Sequence, residues 1–169
     1  MILAKKEILK AVREGRIRIE PFDSSSVGPC SVDFSLGDEF RLFGKRGKEV
    51  GLTGGLDYLK QTKPKFCPEG YALQPGELVL GVTKEKLGLS NGLCGWIQGR
   101  SRIARMGVMV HVSSSLIQPG VDNRQVLEII NLSPNPIVLR PGVKVCQIVF
   151  EELSSEAEYA GDFAKQTKP

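Results

Sequence analysis

The second half of the chain repeats one pattern. Short runs rich in apolar and β-branched residues follow one another: "GYALQ", "ELVLGVT", "GLCGWIQ", "GVMVHVS", "RQVLEIINL", "PIVLR" and "VKVCQIVFEEL". Turn signals separate them at Pro75-Gly76, Ser90-Asn91-Gly92, Pro119-Gly120, Ser133-Pro134-Asn135-Pro136 and Pro141-Gly142. Strands with turns every ~8–12 residues leave little room for helices and point to an all-β barrel or jelly roll. The first half agrees. "RIRIEPF" places Ile17 and Ile19 on one face. "CSVDFSLGDEFRLF" places Val32, Phe34 and Leu36 together, then Phe40 and Leu42 after a Gly37-Asp38 turn. A strand gives this period of two because successive side chains point to opposite faces.

One helical pattern stands before the strands. Residues 2–14 carry Ile8, Leu9 and Val12 at helical spacing, with Gly15 as the stop. From about Gly44 to Pro68 the pattern dissolves into Gly, Lys, Thr and Pro, read as long loops with one helical turn at "LDYLK". Residues 1–153 form a single β domain on this reading. Residues 154–169 form a polar, mobile tail.

A chain of 169 residues with 41% hydrophobic content can bury a core as one domain. The net charge of +4 is too small to point to nucleic acid, and no nucleic-acid partner is expected. No apolar run approaches the ~18 residues a membrane span needs, and Met1 leads into a charged helix rather than a signal peptide. Cys30, Cys67, Cys94 and Cys146 are far apart and make no C-x-x-C pair. A cytoplasmic protein with reduced thiols is expected.

Three stretches could carry chemistry. "GRSRIARMG" sets Arg100, Arg102 and Arg105 within six residues, with Ser101 between two of them. Guanidinium forks and a hydroxyl suit phosphate oxygens, and a helical turn beginning there would add free N–H groups. A basic, solvated turn fits the spacing equally well. In "RQVLEIINL", Val126, Glu128 and Ile130 share one strand face. An acid among apolar neighbours has its charged form disfavoured and its pKa raised, which suits a general base that must return its proton. An edge-strand glutamate paired with a cation is the competing reading. His111 is the only histidine, and on an apolar strand it reads as a hydrogen-bonded core residue. Lone histidine and scattered cysteines do not form the H-x-E and P-C-x-x-C signature of zinc deaminases. "SSSLIQPGVDNRQ" reads as a hairpin with Pro119-Gly120 at its tip, its hydroxyls and backbone available to line a pocket.

Taken in order, "PCSVDFSLGDEF", "GWIQGRSRIARMGVMVHV" and "IQPGVDNRQVLEIINLSPNPIVLRPG" resemble the dCTP deaminase and dUTP diphosphatase superfamily. The match is nearer to the dCTP deaminase branch and spans roughly residues 15–153. The resemblance implies a distorted jelly roll of the dUTPase-like type. It implies a homotrimer with sites between subunits, and zinc-independent deamination of dCTP to dUTP and ammonia, with Mg2+ carried on the triphosphate. By position, Glu128 matches the catalytic glutamate, and Ser101 would help fix the attacking water. Arg100, Ser101 and Arg105 match the triphosphate segment, with Arg102 beside them as an extra charge. Val126 and Glu128 would contact the base, and Ser114 would hold water or the ring. Tyr159, Lys165 and Gln166 match in kind a tail that closes over the nucleotide. Three positions depart: Arg102 replaces a usual serine, Leu116 a usual arginine, and Gln118 the aspartate that contacts deoxyribose. Alternative activities are a dUTP diphosphatase, a bifunctional dUMP-forming deaminase, or a nucleotide-binding relative without turnover.

Overall fold

In the computed structural model, residues 1–44, 47, 49–51 and 58–169 are described. The basic "GKRGK" stretch and the start of "LDYLK" therefore fall largely outside the described residues.

Helix α1 (Lys5–Arg13) turns Ile8 and Ala11 fully inward, with Leu9 and Val12 packed partly against the core. Gly15 follows in the left-handed region at φ 73°, the conformation that glycine adopts most easily. Eleven strands come next: β1 (Ile17–Glu20), β2 (Val32–Phe43), β3 (Thr62–Phe66), β4 (Tyr71–Leu73), β5 (Leu78–Leu89), β6 (Leu93–Gly99), β7 (Val108–Met109), β8 (Leu116–Ile117), β9 (Asp122–Asn131), β10 (Ile137–Leu139) and β11 (Lys144–Glu152). Among the described residues, two four-residue helices, α2 (Tyr58–Gln61) and α3 (Ser101–Ala104), and a 3-10 turn at Ser24–Ser26 interrupt them.

The main sheet runs β7-β9-β5-β2-β11-β6-β8, with β1 added to β5 and β3 added to β2. Strands β4 and β10 pair separately. Every pairing is antiparallel. The sheet curls around a core that includes Phe34, Leu36, Phe40, Leu127, Ile129 and Phe150, each at most 1% exposed. The expected all-β fold with a short N-terminal helix is the one present.

Four local expectations need correction. Gly37-Asp38 is not a turn: β2 runs through it, and its register with β5 shifts between Leu36 and Phe40. A Cβ at Gly37 would lie 2.6 Å from the Arg124 guanidinium and 3.0 Å from the Val82 carbonyl, so a side chain there would have to displace the guanidinium. The loop reading of 44–68 missed β3, because "TKPKF" has no apolar alternation. β3 is an exposed edge strand, where a proline is tolerated. The 113–125 hairpin does not close on itself. Its turn at Pro119-Gly120 is real, but β8 pairs with β6 while β9 pairs with β5 and β7.

The tail is also tied down. Asp122 N–H donates to the Ala164 carbonyl at 2.9 Å, and Arg124 N–H to that of Gln166 at 3.0 Å. Asn123 Nδ2 donates to the Phe163 carbonyl at 2.6 Å, and Tyr159 N–H to that of Pro119 at 3.1 Å. Residues 163–166 thus occupy the edge of β9 that β7 leaves unpaired. All four cysteines are free, with only Cys30 exposed. Among the described residues, no helix is long and apolar enough to cross a membrane.

Candidate active site

A cavity of about 480 Å³ lies where β8, β9, residues 111–118 and the tail meet. Its wall mixes apolar side chains with Glu128, His111, Ser114, Gln118 and Gln166. Val126 and Tyr159 also line it. Eight residues singled out in the sequence therefore come together: His111, Ser114, Leu116, Gln118, Val126, Glu128, Tyr159 and Gln166. Four neutral amides are among its polar groups, since Asn123 and Gln125 join Gln118 and Gln166. Gln118 makes no side-chain hydrogen bond among the described residues, which leaves its amide available to a ligand.

Glu128 lies on the half-exposed face of β9, opposite Leu80 of β5. The inward face of β9 carries Asn123, Gln125, Leu127, Ile129 and Asn131. Its carboxylate is gripped by a neighbouring segment. Val112 N–H donates to Oε2 at 3.1 Å and Ser113 N–H at 2.7 Å. The Ser113 hydroxyl lies 2.9 Å from Oε1 and 3.0 Å from Oε2. Burial by itself would raise the pKa, but the bonds from Ser113 and Val112 outweigh it and bring it below the ordinary value. This overturns the expected upward shift. Glu128 is an ionised acceptor at neutral pH. The donors lie 15 and 16 residues away, beyond the reach of a strand-face pattern.

His111 corrects a second expectation. Both ring nitrogens are enclosed, and neither has a hydrogen-bond partner among the described residues. Burial lowers its pKa, partly offset by the nearby Glu128 carboxylate, so the ring is held neutral. A folded state that requires the neutral ring is stable above the unfolded imidazole value of 6.5 and loses stability as pH falls below it. Replacing His111 with leucine removes two enclosed polar atoms and this pH slope. We expect His111→Leu to unfold at the same or a higher temperature than wild type at pH 7.5. The advantage should grow at pH 5.5, as read by paired thermal melts. A melt several degrees lower at both pH values would show that the ring is a satisfied core residue.

The basic turn is arranged differently from the cavity wall. β6 ends at Gly99, and α3 carries Ser101 to Ala104. Arg100 is half-buried, its Nη2 3.0 Å from Asp33 Oδ2 and its Nη1 donating to the Lys144 carbonyl at 3.1 Å. Ser101, Arg102 and Arg105 are exposed. Neither Arg102 nor Arg105 has an ion pair or side-chain hydrogen bond among the described residues. None of residues 99–105 lines the cavity of the same chain, and neither does Lys165.

Residues 2–153 match the family model described as dCTP deaminase-like. The chain belongs to the dCTP deaminase-like family. A dCTP deaminase of Marinomonas sp. (strain MWYL1) is 40% identical over 168 residues, covering 94% of this chain and 87% of its own. A protein of Methanobrevibacter smithii named "dCTP deaminase, dUMP-forming" is 35% identical over 179 residues, covering 99% of this chain and 92% of its own. Among solved structures, the 2′-deoxycytidine 5′-triphosphate deaminase of Agrobacterium tumefaciens superposes with a TM-score of 0.70 at 23% identity. This dCTP deaminase-like chain spans 47% of that longer chain, with 88% of its own length aligned. That likeness bears on the fold. In the dCTP deaminase-like domain, the sequence reading found Glu128 because an acid interrupts an apolar run. It missed Ser113 and Val112, whose contribution is a hydroxyl and two backbone N–H groups with no sequence signature of their own.

Proposed function

We propose that this chain catalyses the hydrolytic deamination of dCTP to dUTP and ammonia. The observation that carries this reading is Glu128: an ionised carboxylate on the wall of a cavity rich in neutral hydrogen-bonding groups, in a dCTP deaminase-like chain. Glu128 takes a proton from water as the oxygen attacks C4 of the cytosine ring. N3 of the ring takes that proton from Glu128 as the addition completes. Glu128 then takes the second proton, from the new C4 hydroxyl, and returns it to the amine as the C4–N bond breaks and ammonia leaves. The sum is one water consumed, one carbonyl formed and one ammonia released. Ser101 fixes the water, Ser114 holds water or the ring, and Val126 packs on the base. Gln118 offers its amide to the sugar hydroxyl. Tyr159, Lys165 and Gln166 of the tail close over the nucleotide.

Arg100, Ser101 and Arg105 hold the triphosphate, with Arg102 beside them. Mg2+ arrives as part of the substrate, bound to the phosphates. The working unit is a homotrimer with sites between subunits. Two observations support this. The triphosphate turn does not line the cavity of its own chain. The cross-strand pair Trp96 and Leu116 is left 37% and 41% exposed, an apolar surface suited to a neighbouring copy. Four free thiols support a reducing, cytoplasmic setting.

Incubation with dCTP and Mg2+, following ammonia, dUTP, dUMP and pyrophosphate, tests the reading. Ammonia with dUTP supports it, and binding without ammonia overturns it. Pyrophosphate would instead support a dUMP-forming activity, the second reading favoured by the name of the Methanobrevibacter relative. Arg105→Ala should raise KM roughly 10- to 100-fold, the worth of one charge-assisted contact, and leave kcat within a few-fold. An unchanged KM would remove Arg105 from the phosphate site.

A further inference from the structure

The grip on Glu128 is not symmetrical. Oε2 receives two backbone N–H groups, from Val112 and Ser113. Among the described residues, Oε1 receives only the Ser113 hydroxyl, which it shares with Oε2. A backbone N–H can donate and never accept, whereas a hydroxyl can do either. Placing a proton on Oε2 would set it against two donors. Placing it on Oε1 meets a hydroxyl that can turn and accept.

We propose that Ser113 is a positioning residue that divides the work of the two Glu128 oxygens, with Oε2 a fixed anchor and Oε1 the oxygen that takes and returns the proton. The inference rests on the function proposed above and specifies how Glu128 performs it. In the resting site the Ser113 hydroxyl donates to the carboxylate. When water gives its proton to Oε1, the Ser113 hydroxyl rotates and accepts from the new O–H. The serine proton never leaves its oxygen. When Oε1 returns its proton to the departing amine, the hydroxyl turns back. The two N–H bonds to Oε2 hold the carboxyl in place throughout.

The surroundings of Glu128 leave this role to Ser113. Val126 and Ile130 flank Glu128 on its own strand face, and Leu80 faces it from β5. His111, on the segment after β7, is the one titratable group with an electrostatic influence on it among the described residues. That ring is held neutral. Among the described residues no lysine or arginine pairs with Glu128, so its ionised form depends on the hydroxyl and the two N–H groups.

Valine and threonine have nearly the same shape, and only threonine keeps the hydroxyl, so Ser113→Val and Ser113→Thr form the test. Two readouts are needed. One is the titration of the Glu128 carboxyl by carbon NMR with labelled glutamate, its signal assigned by its loss in Glu128→Gln. The other is the pH profile of kcat for ammonia release. In Ser113→Val the carboxyl midpoint should rise toward the ordinary value and the acid limb of kcat should move to higher pH with it. Its kcat at neutral pH should fall roughly 10- to 100-fold, as for a lost bond to a charged group. Ser113→Thr should keep both wild-type values. An unmoved midpoint in Ser113→Val overturns the proposal, as does a wild-type rate profile despite a moved midpoint. Equal losses in valine and threonine would mean that side-chain bulk, not the hydroxyl, is at issue. If wild type releases no ammonia, the proposed function falls, and an intact or shifted carboxyl midpoint still decides the role of the clamp.

Discussion

Glu128→Gln should reduce ammonia release from dCTP by about 10²–10⁴-fold, the range lost with a general base. Triphosphate binding should stay within a few-fold of wild type. The substitution is nearly isosteric, and the structure explains why it is clean. An amide oxygen placed at Oε2 still accepts from the Val112 and Ser113 N–H groups, at the 3.1 Å and 2.7 Å now seen. Its amide nitrogen, at Oε1, can donate to the Ser113 hydroxyl. What it cannot do is accept a proton from water. Single-turnover rates and isothermal titration with dCTP would separate the two effects. A fully active variant would end the assignment of Glu128, and a variant that no longer binds would show that the carboxylate serves the base rather than the water.

Asn131→Leu should be the most damaging change outside the catalytic groups. Asn131 is fully buried at the end of β9. Its Nδ2 donates to the Leu73 carbonyl at 3.1 Å and to the Asn135 carbonyl at 2.8 Å. Its Oδ1 accepts from the Ser133 N–H at 2.9 Å and the Ser133 hydroxyl at 2.8 Å. One side chain thus ties β4, β9 and the turn at 133–135 together. Leucine fits the volume and leaves those groups unpaired, at about 3 kcal/mol or more. For a chain of this size that is a drop of roughly 6–12 °C in melting temperature. Ser133→Ala, which removes one of these four bonds together with the hydroxyl's contacts to Asn135, should lose less. Equal melts for wild type and Asn131→Leu would show that the network contributes nothing net. Asn131 also pairs with Val108 of β7, the strand that leads into His111, Val112 and Ser113. Loss of activity should therefore accompany loss of stability.

The strands were legible where one face is buried and the other is not. β1, with Ile17 and Ile19 inward, gave its period away. β3 was not legible, because an edge strand needs no apolar face to be held. Its bonds to β2 are backbone bonds and those of the Arg41 side chain to Thr62, to which Lys63 and Lys65 are indifferent. Gly37 read as a turn because glycine permits many conformations. Its cause here is Arg124, 87 positions away, which no local pattern carries. The site divides in the same way. Glu128 stood out as an acid in an apolar run, but the sign of its pKa shift depends on donors from another segment. His111 read as a satisfied core residue because partners are assigned by packing, not by spacing.

The arginines of the 99–107 turn differ in how much freedom they have left to lose. Arg100 is already fixed by Asp33 and the Lys144 carbonyl. Arg102 and Arg105 still sample many rotamers in water. A rotamer-rich side chain that is immobilised on binding gives up about 0.5–1.5 kcal/mol. If this turn holds the triphosphate as proposed, its capture should show an uneven calorimetric signature, with little entropic penalty at Arg100 and most of it at Arg105. A mutational series that ranks these residues by affinity alone would undervalue the enthalpy of the Arg105 contact.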